Sequence, residues 1–386
     1  MTMTQDNRPF DIEVAQITFG PNHHFFGYIG HARTIPWNES GRYIVALRSG
    51  FQDHMPGPKE AADVILIDTK NGYAVRKVDR SLAWNIQQGT MLYWNPARSE
   101  TQFLFNDRDP DTNKVFTVLF DISEGGRVRE YRYDDTPIAN SGVAQNGGYF
   151  LGLNYARMAR LRLVTGYPGA YDWTEGVLHP EDDGVFKVHV ETGERQLVVS
   201  FAQMRDALQA RYPHILDTAL FVNHTLWNRD RRIDVPLTVR PDGSCLTEHR
   251  HIGGHPEWDS GHRLVGSDGE RMIVYDTDRK EVVETLGNRT VFPRLGGDTA
   301  VSPDGHWLVS GYGENPYNVY VLYRRSDGAW ARSPRYDQTP YVSGDLRSDP
   351  APCWNRDGTQ VLFPSISEDG TRQLFVIRLR GDLCVS

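Results

Sequence analysis

Short apolar segments alternate with compact polar turns along the whole chain, and one turn phrase keeps returning. It consists of an aromatic residue or Ser, then Asn, Asp or Pro, then small polar residues or Gly, followed by a strand-like segment. Clear copies begin at Trp37, Trp94, Trp258, Ser302 and Trp354, and weaker copies begin at Gln145 and Trp227. A single phrase is typical of any β-hairpin, but seven copies in order predict a repeat architecture.

The spacing of the copies fits one small sheet per repeat. Trp37 and Trp94 are 57 positions apart, and Ser302 and Trp354 are 52 apart, whereas a propeller blade takes about 40 to 50 residues. A further pair of strand-like segments follows most copies, so each repeat predicts four antiparallel strands. The expected fold class is therefore all-β, a seven-bladed β-propeller in a single domain spanning residues 1–386. The fourth unit, near residues 223–250, lacks a clear second half.

One segment has helical instead of strand periodicity. Residues 198–212 carry apolar side chains at helical spacing, Ser200 is a candidate N-cap, and Pro213 ends the run. We expect one surface helix here, inserted between the third and fourth repeat units.

Composition narrows the possible partners. The 42 Lys and Arg residues are outnumbered by 50 Asp and Glu residues, which gives a formal charge of −8 and a pI of about 5.9. This charge lacks the basic field that nucleic acid or an anionic membrane surface would require, so neither partner is expected. Apolar residues make up 39% of the chain, which is sufficient for a large packed core.

The amino terminus and the cysteines bear on the compartment. The first twenty residues lack a basic segment followed by a long apolar segment, and no apolar run approaches the length of a membrane span. Cys245, Cys353 and Cys384 are odd in number and lack metal-type spacing. They are expected to be free thiols in a soluble, cytoplasmic protein; the oligomeric state is left open.

Polar residues precede most of the turn phrases. Because the innermost strand of each blade borders the axial channel, residues just upstream of the phrases should gather at one mouth of it. These residues are His24, Tyr28, His31, Gln88, Asn223, His224, His255, Asp298, Arg347 and Asp349. The sequence therefore predicts a polar ring at the axis.

The turn phrases resemble the repeats of TolB and WD40-like propellers, over residues 30–380. A more specific likeness lies in the block from Asn22 to Tyr43 and in the segment Trp84 to Gly89. These segments are similar to those of bacterial seven-bladed propellers near oligogalacturonate lyase, the ulvan lyases and the rhamnosyl-glucuronate lyases or rhamnosidases. The resemblance implies a protein that binds an acidic, uronate-containing oligosaccharide and cleaves it by β-elimination.

The chain departs from this family at one motif. A His-Pro-His-Pro segment that supplies metal ligands in oligogalacturonate lyase corresponds here to Asp349-Pro350-Ala351-Pro352, which has neither histidine. This argues against the manganese site and against oligogalacturonate itself, and leaves a metal-free relative. No cofactor or metal is therefore expected. The sequence also lacks a nucleophile elbow, a phosphate-binding loop and a dinucleotide fingerprint.

Elimination from a uronate requires three groups: a charge partner for the C6 carboxylate, a base for the C5 proton, and an acid for the departing O4. The candidate bases or charge partners are His24, His31, His224 and His255, the candidate acid is Tyr28, and the carboxylate clamp is Arg48 or Arg157. The substrate-binding candidates are Arg48, Gln88, Arg157, Asn223, Asp298 and Arg347.

Alternatives remain open for each of these residues and for the function. Each His can instead tie a strand to a turn, and Arg157 can be a solvated or blade-bridging residue. His249 and His251 could share a strand face and chelate a metal together. Two other functions are a glycosidase that releases rhamnose from rhamnosyl-uronate ends, and a non-catalytic scaffold for glycans or proteins.

Overall fold

The computed structural model describes residues 10–26, 34–223, 225 and 236–381. Within them, most strands belong to six antiparallel sheets of four or five strands each. Almost every strand pairs with the next one along the chain, so each sheet is a meander of local hairpins. A single meander of this size leaves two apolar faces exposed. Burying both faces requires packing against the neighbouring sheets, as in a β-propeller.

The six sheets are numbered here as blades in chain order. The first strand, β1 (Phe10–Gln16), belongs to the last blade. Blade 1 contains β2 (His23–Phe25), β3 (Tyr43–Ser49), β4 (Ala62–Asp68) and β5 (Ala74–Ser81). Blade 2 contains β6 (Tyr93–Trp94), β7 (Gln102–Arg108), β8 (Val115–Asp121) and β9 (Gly126–Tyr131). Blade 3 contains β10 (Ala139–Val143), β11 (Tyr149–Leu153), β12 (Gly184–His189) and β13 (Arg195–Ser200).

A hairpin of two short strands, β14 (Leu237–Thr238) and β15 (Thr247–Glu248), precedes blade 4. Blade 4 contains β16 (Gly253–Trp258), β17 (Arg263–Ser267), β18 (Met272–Asp276) and β19 (Glu281–Leu286). Blade 5 contains β20 (Asp298–Val301), β21 (Trp307–Glu314), β22 (Tyr317–Arg324) and β23 (Trp330–Arg332), and β24 (Tyr336–Asp337) also pairs with β22. Blade 6 contains β25 (Cys353–Trp354), β26 (Gln360–Ile366) and β27 (Arg372–Gly381), together with β1.

The prediction of seven blades is wrong, because the described residues contain six complete blades. The fourth repeat unit begins at Trp227, outside the described residues, and within them it contributes only the β14–β15 hairpin. Its strands have two residues each. Pro236 and Pro241 cannot donate hydrogen bonds to a strand ladder, and Gly243 turns the chain at a φ of 85°.

Helices occur where loops leave the blades. The predicted helix is confirmed as α2 (Phe201–Leu208), and Ser200 caps it in a reciprocal capping box with Gln203. The expectation of a single helix is wrong, since α1 (Tyr155–Leu161) also forms, in a run of Ala, Arg, Met and Leu that favours helix. Three 3-10 helices span Pro96–Arg98, Leu163–Thr165 and Pro213–Asp217. No helix in the described part has the length and apolar content to cross a bilayer.

The two ends of the chain close the ring. Strand β1 pairs antiparallel with β27, from Phe10 opposite Gly381 to Gln16 opposite Phe375. The last blade therefore takes its outermost strand from the amino terminus. Phe10 is 2% exposed and packs edge-on against Trp307 of blade 5, with ring centroids 4.8 Å apart.

The apolar core lies between blades. One cluster joins Trp307 and Tyr320 of blade 5 to Trp354 and Phe363 of blade 6. The indole N–H of Trp354 donates to the Ala300 carbonyl of blade 5 at 2.9 Å. In the same way, the indole of Trp94 in blade 2 donates to the carbonyl of Pro36 in blade 1 at 2.6 Å. In these two phrases, the opening Trp therefore links its blade to the preceding blade.

One polar residue of the phrase, the first at Ser302 and the second at Asn38 and Asn355, closes the first hairpin of the blade. In three blades its side-chain oxygen accepts the backbone N–H five residues later, as Asn38 does from Tyr43 (2.8 Å), Ser302 from Trp307 (2.9 Å) and Asn355 from Gln360 (2.9 Å). The Gly three residues after it is left-handed in each case, with φ of 69°, 77° and 68° at Gly41, Gly305 and Gly358. The repeat therefore reflects one hydrogen bond and one backbone conformation.

Closure of the ring predicts a large effect for Phe10→Ala. Removing the buried ring should lower the free energy of unfolding by about 3–5 kcal/mol, since a cavity is left between blades 5 and 6. Phe19→Ala is the matched control, because Phe19 is 67% exposed and its loss should change stability by about 0.5 kcal/mol or less. Denaturant unfolding measures both, and equal losses would contradict this account of closure.

Candidate functional site

The inner strand of each blade ends in its turn phrase, so its first residues lie at the opposite end of the axial channel. We call this end the polar mouth and define it by His255, Asp298, Asp349, Gln87 and Arg347. The described residues bring these side chains together in two hydrogen-bonded groups. Four of the five, His255, Asp298, Arg347 and Asp349, are among the residues that the sequence placed upstream of the phrases.

The first group joins blades 4, 5 and 6. His255 Nδ1 lies 3.0 Å from Asp298 Oδ1, and the side chains are 27% and 4% exposed. The other carboxylate oxygen of Asp298 accepts the backbone N–H of Ala351 at 3.0 Å. Asp298 is therefore held in place on both oxygens. A carboxylate at Nδ1 fixes the tautomer and the orientation of an imidazole, and makes Nε2 the basic nitrogen.

The backbone at His255 is unusual. Its φ is 54°, in the left-handed region that non-glycine residues rarely adopt. The pairing of β16 with β17 shifts register between Gly253 and Glu257, so a bulge turns the imidazole out of the regular strand. Met91 and Ala351 are also left-handed, with φ of 55° and 39°, and all three residues stand three positions before a phrase Trp. Strain of this kind is concentrated at functional sites.

A glycine makes room for the segment that contacts Asp298. Gly311 is paired with Asp298 in the sheet, and a Cβ there would lie 2.5 Å from the Cβ of Pro350. Pro350 therefore occupies the space that a side chain at position 311 would need. This contact brings the backbone of Ala351 within hydrogen-bonding reach of Asp298.

The second group is centred on Asp349. Its Oδ1 accepts from Arg347 Nε at 2.9 Å, and its Oδ2 accepts from Gln87 Nε2 at 2.6 Å. The side chain of Asn85 accepts the backbone N–H groups of Gln87 (3.1 Å) and Gln88 (2.6 Å), which holds this turn in shape. The sequence pointed to Gln88, whose role stays a prediction, and the neighbouring Gln87 reaches the acid. The turn motif itself was the available signal, although it does not say which of its two Gln residues faces the axis.

His24 is buried beside the carboxyl-terminal blade. It is 4% exposed, and its Nδ1 donates to Gln373 Oε1 at 2.8 Å. Burial lowers the pKa of His24, although the hydrogen bond to Gln373 acts in the opposite direction. This partner suits the alternative in which His24 ties strands together, and a catalytic role for it stays a prediction.

Arg372 was not anticipated from the sequence. It is 1% exposed, its Nη1 donates to the Ile86 carbonyl at 2.7 Å, and its guanidinium lies over the Phe25 ring at 4.9 Å. Burial lowers the pKa of Arg372 to about 10, while the charge of Asp349 acts to raise it. The guanidinium is therefore still a cation at neutral pH, next to the Asp349 group. Only the pairing of strands distant in sequence brings it there.

The two arginines expected to clamp a carboxylate have partners inside the protein. Arg48 forms an ion pair with Asp63 in the neighbouring strand, with Nη2 and Oδ2 at 2.7 Å. Arg157 donates to main-chain carbonyls, from Nε to Leu220 (2.7 Å), from Nη1 to Val177 (2.8 Å) and from Nη2 to Leu178 (2.6 Å). Arg157 is also 1% exposed. It connects the loop after α1 to the segment after α2, which fits the structural alternative for this residue.

The remaining predicted residues are only partly described. Tyr28, His31 and His224 lie outside the described residues. Asn223 is 1% exposed, and neither its side-chain oxygen nor its nitrogen has a hydrogen-bond partner among the residues that the structure describes. Its role in substrate binding stays a prediction.

His249 and His251 do not form the pair that the sequence left open as an alternative. Neither lies on a strand, and His249 is buried whereas His251 is exposed, so they do not share a face. His249 Nε2 lies 2.7 Å from the Thr238 hydroxyl, and its ring packs edge-on against Tyr275. Across the described ranges, no three His, Cys, Asp or Glu side chains are grouped to hold a metal ion.

A cavity of about 1300 Å³ lies away from the polar mouth. Its lining includes Trp94, Asn146, Trp258 and Arg356 from the turn-phrase end of the axis, and it extends along blade 3 to the β14–β15 hairpin. None of the described candidate residues lines it. The cavity is mainly apolar and borders both chain segments that flank residues 226–235. We therefore place the candidate site at the polar mouth, where titratable groups converge.

The contacts of Arg157 predict a loss of stability for Arg157→Ala. Three carbonyls would lose a charged donor, and we expect the free energy of unfolding to fall by about 3 kcal/mol or more. Arg160→Ala is the control, since Arg160 makes a partly exposed ion pair with Asp172, worth about 1 kcal/mol or less. Thermal unfolding compares the two variants. If Arg157→Ala were as stable as the wild type, the structural role assigned to Arg157 would be wrong.

Comparisons with known proteins do not assign a function. No model of a known protein family matches the chain, and no curated protein matches it. Among solved structures, it is similar to TolB from Acinetobacter baumannii, with a TM-score of 0.39 and 13% identity over 85% of this chain. It spans only 61% of the TolB chain. It is also similar to the β-propeller domain of Cps50 (Swd1) from Myceliophteria thermophila, with a TM-score of 0.43 and 10% identity, covering 92% of this chain and 98% of that one. The chain is an all-β propeller, and its resemblance to polysaccharide lyases stays a prediction.

Proposed function

We propose that the polar mouth binds a uronate-containing oligosaccharide and cleaves it by β-elimination, with His255 as the base. The observation that carries the proposal is the pairing of His255 Nδ1 with Asp298 Oδ1 at 3.0 Å, in a side chain that stays 27% exposed. An imidazole fixed by a buried carboxylate is the usual arrangement of a general base. The substrate class comes from the resemblance of the amino-terminal segments to propeller lyases.

The reaction balances with one base and one proton donor. His255 Nε2 takes the proton from C5, the electron pair forms the C4–C5 double bond, and the C4–O4 bond breaks. The departing O4 receives a proton from water or from Tyr28, whose proposed role as acid comes from the sequence. Asp298 stabilises the imidazolium as it forms and is itself not protonated. No redox partner or metal ion is needed for this balance.

Two features of the mouth suit a base of this kind. Asp298 cannot turn away from His255, because its second oxygen is occupied by Ala351 N–H. The left-handed backbone of His255 fixes the direction of the ring before any ligand arrives. A base that is oriented in advance has less to reorganise in the transition state.

The scaffold alternative also has an observation in its favour. His24, Arg48 and Arg157 are all engaged by the protein itself, so fewer side chains face a ligand than the sequence indicated. A propeller with no catalytic activity would bind a glycan or a protein at the same mouth and release no product. Release of product therefore separates the enzyme from the scaffold.

We expect the wild-type chain to release unsaturated uronate, detected by its ultraviolet absorbance, from at least one of pectin fragments, ulvan, gum arabic or glucuronan, with or without chelator. His255→Ala should lower the rate by about 10²- to 10⁴-fold, because proton abstraction loses its base. His262→Ala is the matched control, since His262 is 73% exposed and sits away from the mouth in the turn after Trp258.

The outcomes distinguish the candidate functions. An unchanged rate in His255→Ala would remove His255 from the mechanism. Saturated rhamnose or saturated sugar products without ultraviolet absorbance would favour the glycosidase. Binding of a glycan by the wild type without any product would favour the scaffold.

A further inference from the structure

Arg347 presents part of its guanidinium to solvent at the polar mouth. Its Nε donates to Asp349 Oδ1 at 2.9 Å and its Nη1 donates to the Gly344 carbonyl at 3.1 Å. Its Nη2 makes no hydrogen bond to any residue that the structure describes, and the side chain is 28% exposed. Arg347 is therefore fixed on one side and available on the other.

The orientation of Arg347 depends on a chain of contacts across the ring. One carboxylate oxygen of Asp349 accepts from Arg347. The other accepts from Gln87 Nε2 at 2.6 Å, and Gln87 lies in the turn that begins at Asn85. Gln87 is 1% exposed, and the Asn85 side chain fixes the turn that carries it. Asp349 thus cannot rotate freely, and the Arg347 fork keeps one direction.

Two buried polar atoms next to this chain lack partners among the described residues. They are Gln87 Oε1 and Arg372 Nε, and both side chains are 1% exposed. Leaving such an atom unpaired costs about 1–3 kcal/mol, so a polar ligand or water is expected to reach them. Asp349 is paired with Arg347, and Asp298 is paired with His255, whereas the guanidinium of Arg372 donates only to a main-chain carbonyl among the described residues. An anion at this place would therefore meet the solvent-facing side of Arg347, whose side chain is 28% exposed.

A short chain segment connects Arg347 to the group that contains the proposed base. Arg347 and Ala351 are four residues apart, so their Cα atoms are separated by about 14 Å at most. Ala351 N–H donates to Asp298, the partner of His255. In a uronate, C5 and the C6 carboxylate are directly bonded, so a base and a clamp must approach the same ring from nearby positions.

We propose that Arg347 is the group that binds the C6 carboxylate of the sugar, and that Asp349, held by Gln87, is a positioning residue for it. This inference rests on the proposed function and assigns its substrate specificity. A planar guanidinium recognises a carboxylate through charge-assisted hydrogen bonds, and neutralising the carboxylate acidifies the neighbouring C5–H. The protein should therefore discriminate a free uronate from its uncharged methyl ester.

The test measures this discrimination by binding, in the His255→Ala background, so that the ligand stays intact. The probes are short oligosaccharides from pectin, ulvan and glucuronan, each as the free acid and as the methyl ester, titrated by calorimetry. The free acid should bind more tightly than the ester. Adding Arg347→Gln should weaken binding of the acid by about 10- to 100-fold and leave binding of the ester almost unchanged.

Two further variants separate positioning from charge. Arg347→Lys should recover only part of the preference for the acid, because an ammonium keeps the charge and loses the fork. Asp349→Asn should reduce the preference while Arg347 is still present, which a change in stability alone would not do. Arg42→Gln is the matched control, since Arg42 makes a similar pair with Asp68, is 51% exposed and belongs to the turn phrase of blade 1, at the opposite end of the channel. Thermal unfolding of each variant checks that it is folded.

The results distinguish this inference from the proposed function. If the wild type releases unsaturated product and Arg347→Gln keeps the preference for the acid, the clamp is wrong and the function stands. If the preference for the free acid depends on Arg347 but the wild type releases no unsaturated product, β-elimination is wrong and the clamp stands. If neither form of any probe binds, both proposals are overturned.

Discussion

The hydrogen bond from a side-chain oxygen to the backbone N–H five residues later is the contact on which the repeat depends. It closes the first hairpin of a blade at Asn38, Ser302 and Asn355, and a left-handed Gly completes each turn. At Trp354, which directly precedes Asn355, the indole also donates to a carbonyl of the previous blade. Local turn chemistry and packing between blades are therefore coupled in one short phrase.

The two ends of the axial channel differ because only one of them is formed by the turn phrases. Turn phrases make one end regular, since three of the blades share the same hydrogen bond and the same left-handed Gly. The opposite end is built from loops between blades, which share no such constraint, and there the backbone departs from regular strand at His255 and Ala351. These departures place an imidazole against Asp298 and bring the Asp349 segment across the ring. A rigid scaffold with variable loops at one end is a common basis for a binding site.

The sequence was sufficient for features that depend on nearby residues. The blade meander and the helix capped by Ser200 follow from patterns within a few residues of each other. The blade count failed because two prolines and a glycine shorten the strands of the fourth unit, so a turn phrase was not followed by a full sheet. The helix α1 was missed because its seven residues are too few for a clear periodic signal.

By itself, the sequence determined the all-β repeat and the set of polar residues that can reach the axis, because turns and strand alternation are local properties. The tertiary structure decided which of those residues have partners: Arg157 is committed to three carbonyls, whereas Arg347 keeps one side exposed. It also decided that Gln87 contacts Asp349 and that Arg372 lies nearby. These contacts join residues separated by most of the chain, and only closure of the ring through β1 and β27 brings them within bonding distance.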